Sequence, residues 1–439
     1  LRCRPKRRFR VTTDSRHALP VADKPSPPPA FTQRVCSSVQ AQLPSLIVLL
    51  PSLTASGKSQ GVDGKVGAFF RLARRSGLWP DAEAVHRSTV TKARAKLSWT
   101  AFEQLHRDVA RLAYEVWPTG DEFAWQGLSV FAIDGSQYHL PAADAVRSVF
   151  DPDSGLDHPG QGHYPQCLVS TAYDVFRRLP VARTVQPMAH ANEREEVKAL
   201  LPHLPGGGVL LLDRGYPSYE LISHLHHHYQ GYWLIRCPAS ATFPAVEAFV
   251  RSGQAEATIT LQPPQAEPIR LHALRLHSPD GELSVLLTNL EDPVRFPTAA
   301  ITALYFRRWA VETHYRDEKT SLDVETFHSQ TENGIRQELF AILIVAVIAR
   351  LLTVLMTDPD HPAGVEPQFK HAVITLAQEA FVLTPKCPER ALVIFTELLN
   401  EIARVRYYRP KIPRPSQPRV SKKPINKWQV DKAKRMANA

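Results

Sequence analysis

The sequence predicts an α/β protein with a ribonuclease-H-like core, because the spacing of its apolar residues changes along the chain. Strand-like runs come first, at 128–134, 166–176 and 179–187. Helix-like and strand-like runs then alternate, at 192–203, 208–213, 217–229 and 231–237. Three successive strands followed by this alternation give the ribonuclease-H-like order. In that order the first and fourth strands lie side by side.

Helical regions flank this predicted core, and a β-rich insertion interrupts it. The predicted segments are a basic, Pro-rich disordered tail at 1–33, a helical region at 34–120, the first part of the core at 121–237, the β-rich insertion at 238–297, the closing part of the core at 298–360, and a helical C-terminal region with a basic, Pro-rich tail at 361–439. The insertion contains three strand-like runs, at 258–261, 269–276 and 282–290. After it, helices are predicted at 336–356, 367–383 and 389–404.

The helical region at 34–120 is a candidate DNA-binding module. A helix–break–helix is predicted there, with a short helix at 82–86, Ser88 as the N-cap of a second helix, and a third helix from Thr100 to Leu112. The second helix is basic, and its cations are Arg87, Lys92, Arg94 and Lys96. Because short basic helices are common, a plain helical bundle is the alternative interpretation.

Positive charge is concentrated at the two ends of the chain. The 439 residues carry a formal net charge of +10. Residues 1–40 hold nine Lys or Arg against two acids, and residues 404–439 hold twelve against one. Solvated tails are the simple interpretation, whereas tails that bind a polyanion through phosphate contacts are the functional one.

The cysteines and apolar runs indicate a cytoplasmic protein without a membrane span. The five cysteines never form a Cys-x-x-Cys pair, so the sequence indicates neither a zinc ribbon nor a disulfide framework. No apolar stretch follows the basic N-terminus, so no signal peptide is predicted. The apolar run at 339–356 contains Arg350 and follows a polar helix, which favours a buried core helix.

A charged helix is predicted at 305–319. At about 100° per residue, Tyr305, Arg308, Glu312, Arg316 and Lys319 share one face. One Glu among three cations is suited to contact phosphates, whereas a surface helix stabilised by Glu–Arg pairs is the alternative.

Two further acids follow buried-looking strands. Asp134 ends the apolar run at 128–133, and Asp213 ends the run at 209–212. Ligands of open α/β sheets bind at the carboxyl ends of strands. We therefore expect Asp134, Asp213 and Glu312 to converge on one site. Carboxylate oxygens suit Mg²⁺ or Mn²⁺, and two such ions can assist an in-line phosphoryl displacement.

Other polar motifs are given structural roles. The histidines at 226–228 point in different directions on a helix, which favours a solvated surface over a metal site. The glycines at 206–208 precede a strand and are expected to form a turn rather than a phosphate cradle. Asp174, Asp323 and Glu325 are expected to be surface groups or groups that support the site.

At this point the chain resembles the DDE transposases of the insertion-sequence-four group of bacteria. The resemblance rests on Asp134-Gly-Ser, on Asp213-Arg-Gly-Tyr-Pro-Ser, and on the spacing of Tyr305, Arg308, Glu312 and Lys319. It covers roughly residues 125–360. Some relatives are thought to place a Trp from the insertion against a flipped base, but residues 238–308 contain no Trp. Phe243, Phe249 or a His is the candidate substitute.

The resemblance implies a cut-and-paste DNA transposase. It implies that Asp134, Asp213 and Glu312 bind Mg²⁺, with Mn²⁺ as a substitute, and that Tyr305, Arg308 and Lys319 contact phosphates. We add Arg316 and Arg214 as candidate DNA contacts. The implied partners are terminal inverted repeats, target DNA and a second copy of the chain. A catalytically inactive DNA-binding descendant and another two-metal nuclease of the same fold are the alternatives.

Overall fold

The computed structural model describes eight stretches of the chain: residues 49–54, 61–75, 83–151, 164–240, 242–278, 281–357, 365–379 and 388–408. All of them belong to one compact unit, Ala41–Ala439. The predicted N-terminal tail at 1–33 and the C-terminal tail beyond residue 408 lie outside the described residues.

An eight-stranded sheet organises this unit. Its strands are β1 Val130–His139, β2 Gln166–Asp174, β3 Leu179–Pro187, β4 Val209–Leu212, β5 Tyr232–Pro238, β6 Glu256–Leu261, β7 Ile269–His277 and β8 Leu283–Thr288. They lie in the order β3-β2-β1-β4-β5-β8-β7-β6. β1, β2 and β3 pair antiparallel, whereas β4 pairs parallel to β1 and β5 parallel to β4. This is the predicted ribonuclease-H-like order, with the first and fourth strands adjacent.

The helices of the described chain cover both faces of the sheet. They are α1 Val62–Arg75, α2 Arg87–Ala95, α3 Thr100–Val116, α4 Asp144–Phe150, α5 Glu193–Leu200, α6 Tyr219–His228, α7 Pro244–Ser252, α8 Thr298–Tyr305, α9 Trp309–Thr320, α10 Glu332–Leu355, α11 Phe369–Glu379 and α12 Pro388–Arg404. Two short strands, β9 Val365–Pro367 and β10 Arg406–Tyr408, form a separate antiparallel pair.

The insertion continues the central sheet. β8 pairs antiparallel with β5, and β7 and β6 follow it outward. This confirms the expectation of strands that belong to the core rather than to a separate fold. One helix of this insertion, α7, was not predicted from the sequence. Its signals were present, since Pro244 occupies the first turn and Gly253 ends the helix with a φ of 74°.

α10 is the central helix of one face of the sheet. It is long and apolar enough to cross a membrane, but most of its apolar stretch is buried inside the protein. α3 packs along it, and the rings of Trp99 and Phe340 stack with centroids 5.6 Å apart. The prediction of a buried core helix is confirmed.

The start of α2 differs from the prediction. His86 is the N-cap, because its Nδ1 accepts the N–H of Ser88 at 3.2 Å, and residues 83–86 are not helical. The predicted Ser88 cap and the helix over these residues are therefore wrong. Arg94 of α2 binds α10 through the carbonyl oxygen of Gly334 at 2.9 Å and the carboxylate of Glu338 at 2.9 Å. Arg94, one of the four cations predicted for this helix, thus supports the core, and another of them, Lys96, follows the last residue of α2.

The helical flanks and the sheet share hydrophobic cores. Leu50 and Phe102 belong to the same core cluster as Val130 of β1 and Leu339 of α10. The predicted segment boundaries stay predictions, because the described elements on either side of them pack together.

Candidate active site

Asp134 lies within β1 rather than at its end. β1 continues to His139, and Asp134 pairs with Thr171 of β2. The predicted strand end at residue 134 is therefore wrong. β1 pairs with β4, however, only from Val130 to Ala132. Asp134 consequently lies just past the point where the two parallel strands separate, which is where a crevice opens.

Asp213 directly follows the last residue of β4, as predicted. Its Oδ1 accepts the main-chain N–H of Gly215 at 2.8 Å. This bond closes a tight turn, so the carboxylate is fixed close to its own strand. The parallel pairing of β1 with β4 brings Asp213 to the same edge of the sheet as Asp134.

The helix predicted at 305–319 is interrupted. α8 ends at Tyr305, a 3₁₀ turn covers Phe306–Arg308, and α9 begins at Trp309. The expectation of one continuous α-helix is wrong, and a wheel of 100° per residue does not apply across the turn. Residues three apart eclipse in a 3₁₀ turn, which keeps Tyr305 and Arg308 on one side.

Arg308 connects the carboxylates. Its Nη2 lies 2.7 Å from Oε1 of Glu312, and its Nη1 lies 3.9 Å from Oδ2 of Asp134. The charge of Asp213 also acts on this guanidinium. Arg308 is only 7% exposed. The structure thus places Asp134 and Glu312 beside one buried cation, and Asp213 at the same edge of the sheet is near enough for its charge to act on that cation.

The electrostatic environment of Asp134 reflects this convergence. Its pKa is raised to about 7: burial is the largest cause, the charges of Asp213 and Glu312 also raise it, and Arg308 and the main-chain N–H of Gly135 act in the opposite direction. A buried carboxyl beside ionised carboxylates holds its proton to higher pH, because their negative charges repel its ionised form. A cation bound between these groups would relieve that repulsion.

The donor set fits a hard divalent cation. Each of the three side chains offers carboxylate oxygens, which Mg²⁺ and Mn²⁺ prefer. Within the described stretches, no three His, Cys, Asp or Glu side chains are grouped closely enough to enclose a metal as they stand. Arg308 occupies Oε1 of Glu312, so a bound cation would compete with this guanidinium.

The predicted phosphate contacts occupy different environments. Tyr305 is 3% exposed, and burial raises the pKa of its hydroxyl to about 12. Arg316 is exposed on α9. Arg214 is exposed and lies 3.4 Å from Glu282. Lys319 donates to Oγ of Ser136 at 2.7 Å and to the carbonyl oxygen of Gln137 at 2.6 Å.

Lys319 therefore connects α9 to β1 two residues beyond Asp134. Its Nζ also lies 4.5 Å from the centre of the Tyr138 ring. These contacts were invisible in the sequence, because the spacing shows a face but not what covers it.

A buried ion pair behind the site was missed. Arg183 of β3 lies 2.7 Å from Oε1 of Glu318 of α9, and both side chains are 0% exposed. Burial alone would raise the pKa of Glu318, but Arg183 and His314 lower it well below its ordinary range. Tyr138 donates its hydroxyl proton to the same carboxylate. The one available signal was the position of Glu318 one turn beyond His314 on the buried side of α9.

The other polar motifs are resolved as follows. The histidines at 226–228 are exposed, as predicted. Residues 206–208 form a turn before β4, also as predicted. Asp174 is 0% exposed, and its Oδ1 accepts the N–H groups of Phe176 and Arg177. A surface position for Asp174 is therefore wrong, because this carboxylate closes the turn between β2 and β3.

Glu325 accepts the main-chain N–H of His139 at 3.2 Å, which makes it a support of the end of β1. Phe243 and Phe249, the candidate substitutes for a base-stacking Trp, are 3% and 4% exposed. Both rings are core residues and neither is available to a base.

Fold and site together define an α/β protein of the ribonuclease-H-like class with a carboxylate site at the edge between β1 and β4. The family model of the transposase DDE domain matches residues 125–348. The chain belongs to this family, whose members generally use divalent metal ions.

Several transposases are similar to the chain. Transposase InsG of the insertion sequence element IS4 from Escherichia coli is 24% identical over 287 residues, which are 62% of this chain and 62% of that protein. The putative transposase y4zB of Sinorhizobium fredii is 38% identical over 84 residues, 19% of this chain and 23% of that protein. The putative transposase InsZ of Escherichia coli is 25% identical over 159 residues, 35% of this chain and 52% of that protein.

The match to InsG thus spans less than two thirds of that relative's length. Among solved structures, a piggyBac transposase synaptic complex with hairpin DNA is 12% identical, with a TM-score of 0.39. That likeness covers 86% of this chain and 78% of the piggyBac chain.

Proposed function

We propose that the protein is a DNA transposase that binds terminal inverted repeats and catalyses metal-dependent strand cleavage and strand transfer. The observation that carries this proposal is the meeting of Asp134, Asp213 and Glu312 around Arg308 in a chain of the transposase DDE family. Water attacking a phosphodiester gives a nick, and the freed 3′-hydroxyl attacking another phosphodiester gives strand transfer.

Asp134, Asp213 and Glu312 would hold the cations, with Mg²⁺ as the physiological ion and Mn²⁺ as a substitute. When bound, two such ions stabilise both the attacking and the leaving oxygen of an in-line displacement. Arg308 supplies positive charge beside Glu312 and Asp134 and keeps these carboxylates oriented. Because the side chains of Arg308 and Asp134 are largely buried, their charges act strongly on one another.

The DNA would approach along α9 and the turn after β4. Arg316 and Arg214 present exposed cations there, and Lys319 lies beside the end of β1. Tyr305 and Arg308 are buried, so any phosphate they contact would have to reach into the carboxylate site. The basic residues at 404–439 would add contacts that do not depend on sequence.

The proposed partners are double-stranded DNA at the transposon ends, target DNA, and a second copy of the chain in the synaptic complex. The proposed location is the bacterial cytoplasm, in association with the nucleoid. Terminal inverted repeats bounded by short direct duplications in the DNA flanking the gene would support this assignment over another nuclease of the same fold.

The decisive experiment replaces each acid in turn. We expect Asp134→Ala, Asp213→Ala and Glu312→Ala each to abolish nicking of a terminal-repeat duplex in Mg²⁺ while DNA binding in a gel shift stays nearly intact. Each change removes a cation ligand rather than a phosphate contact. Wild-type nicking by any of the three variants would contradict the assignment.

A wild-type protein that binds the duplex but never cuts it, in Mg²⁺ or Mn²⁺, would favour the inactive descendant. Cleavage without preference for the terminal repeats would favour the other two-metal nuclease. Glu195→Ala is a suitable control, because Glu195 pairs with Lys198 on the surface of α5.

A further inference from the structure

A fourth acid lies beside the candidate active site. Glu193 is the first residue of α5, the helix that follows β3, and Asn192 caps this helix by accepting the N–H of Arg194 at 3.1 Å. Arg194 also donates to the carbonyl oxygen of Gly215 at 3.3 Å. The start of α5 is therefore tied to the turn that holds Asp213.

Two glycines leave room for the Glu193 carboxylate. A Cβ atom at Gly135, the residue after Asp134, would collide with Oε1 of Glu193. A Cβ atom at Gly215 would lie 3.9 Å from Oε2 of Glu193 and 3.2 Å from Oδ1 of Asp213. The carboxylate thus fills the space between the chain segments that carry the two aspartates.

Nothing in the described chain neutralises this carboxylate. Glu193 has no hydrogen bond or ion pair with any described residue, although it is half-buried. Its neighbour Glu195, by contrast, lies 2.8 Å from Nζ of Lys198. The charge of Asp213 acts directly on Glu193. Two adjacent carboxylates without a shared cation repel each other, which is costly in a half-buried site.

A second observation indicates a polar ligand at the same place. Tyr216 donates its main-chain N–H to the carbonyl oxygen of Asp213 at 3.3 Å and is 1% exposed. Its hydroxyl has no hydrogen-bond partner in the described part of the chain. The charges of Glu193, Asp134 and Asp213 all act on this hydroxyl. Buried hydroxyls are nearly always hydrogen-bonded in native proteins, so a polar group is expected between these side chains.

We infer that Glu193 is a fourth carboxylate of the metal site and binds a divalent cation together with Asp213. This inference rests on the proposed function. Mg²⁺ takes six oxygen ligands, and proteins usually supply one or two of them as carboxylates while waters and substrate phosphates supply the rest. Asp213 and Glu193 together would make such a pair of carboxylates. Glu193 would supply its oxygen on the Asp213 side of the site, since a Cβ atom at Gly215 would lie near both carboxylates.

The test measures Mn²⁺ binding directly, by calorimetric titration and electron paramagnetic resonance of the full-length chain. Glu193→Gln keeps the size of the side chain and removes its charge. Loss of a residue that only supports a metal ligand already costs about 10- to 100-fold in affinity. We therefore expect at least about a tenfold weaker Mn²⁺ site in Glu193→Gln. Glu195→Gln, on the same helix, should bind Mn²⁺ like the wild type.

Two further variants make the outcome specific. Glu193→Asp keeps the charge and should recover part of the Mn²⁺ affinity, which a merely structural role of Glu193 would not predict. Asp134→Asn removes the charge of one of the three proposed metal ligands, so its Mn²⁺ affinity tests the proposed function itself. Thermal melts without metal show that each variant is folded.

If Glu193→Gln binds Mn²⁺ like the wild type while Asp134→Asn does not, the inference fails and the proposed metal site stands. If neither variant changes Mn²⁺ binding, the proposed metal site fails as well. Weakened binding in Glu193→Gln, intact binding in Glu195→Gln and partial recovery in Glu193→Asp support the inference.

Discussion

The hydroxyl of Tyr315 donates to the main-chain carbonyl oxygen of Asp134 at 2.6 Å. The same hydroxyl lies 3.0 Å from the carbonyl oxygen of Val169 on β2. Tyr315 is one turn along α9 from Glu312, so this side chain ties the helix that carries one acid to the strand that carries another. Because Tyr315 is 5% exposed, water does not compete for the bond.

Replacing Tyr315 by Phe tests this connection. We expect Tyr315→Phe to lower the free energy of unfolding by about 1–3 kcal/mol, because a buried acceptor loses its donor. Cleavage should slow while DNA binding stays unchanged, since Asp134 and Glu312 would no longer be held in register. Urea unfolding and single-turnover nicking measure the two effects. Tyr232→Phe, which removes a hydroxyl on β5 away from the carboxylates, is the control.

Because Arg183 and Glu318 form a buried ion pair, we expect replacing one of them to destabilise the protein more than replacing both. Arg183→Met leaves a fully buried carboxylate without its cation, so we expect a loss of about 3–5 kcal/mol of stability. Arg183→Met combined with Glu318→Gln should recover a large part of that loss, because both charges are gone. Equal destabilisation of the single and double variants in urea unfolding would show that this ion pair is not what stabilises β3 against α9.

His106 predicts a pH dependence of stability. It is 0% exposed and its Nε2 donates to the carbonyl oxygen of Pro180 at 2.9 Å. Burial, together with Arg183 and Arg107, lowers its pKa from 6.5 to about 3, against the opposite effects of the hydrogen bond to Pro180 and of Glu318. Between these two pH values the unfolded chain binds one more proton than the folded chain. Stability is therefore complete above pH 6.5 and is lost as the pH falls toward 3.

The measurement compares wild type with His106→Gln by urea unfolding at several pH values from 7.5 to about 4.5. The wild type should lose up to about 1.4 kcal/mol per pH unit more than the variant once the pH is below 6.5. A constant difference between the two proteins across that interval would mean that the pKa of His106 is not lowered in the folded state.

Arg316 and Lys319 are cations of two kinds: Arg316 is exposed on the surface, whereas Lys319 is bonded to β1. Arg316 is exposed on α9, so Arg316→Ala should leave the Tm within error and reduce the slope of log affinity against log salt by about one. Lys319→Ala, unlike Arg316→Ala, should lower the Tm, because Nζ of Lys319 binds Ser136 and Gln137 of β1. An unchanged Tm for Lys319→Ala would contradict this connection.

Asp317, which lies next to Arg316 on α9, is unsuitable as a neutral control for these variants. Its Oδ2 lies 2.9 Å from Nη2 of Arg350, whose side chain is 13% exposed. Asp317→Ala is therefore expected to destabilise α10 against α9. Thr313→Ala, on the exposed side of α9, perturbs less because its hydroxyl donates only to the Trp309 carbonyl oxygen within the helix.

The sequence predicted the order of the sheet because apolar runs of the five core strands are separated by clear turns, such as the one at 206–208. It also predicted that Asp134 and Asp213 would lie at one edge, since that follows from strand order alone. It did not predict that β1 continues past Asp134. The residues after it are polar, and their strand structure comes from pairing with β2 rather than from their own pattern.

The remaining parts of the site depend on contacts between distant residues. Glu193 and Tyr216 are each a single polar residue in a polar stretch, and their relation to Asp213 is visible only when α5 is folded beside the turn after β4. The pair of Arg183 and Glu318 joins a strand to a helix 135 residues later. No spacing rule reaches across such separations.

The packing of α3 against α10 also determines how long α3 lacks its packing partner during translation. The two helices lie at residues 100–116 and 332–355. The ribosome therefore adds roughly 215 residues after it has finished α3 and before it begins α10. At about 5–20 residues per second, the apolar side of α3 stays uncovered for roughly 10–40 s. An interrupted translation product ending before α10 would lack the central helix of this core. The proposed nuclease activity would therefore require the nearly finished chain, and shortened products are expected to be targets for chaperones and proteases.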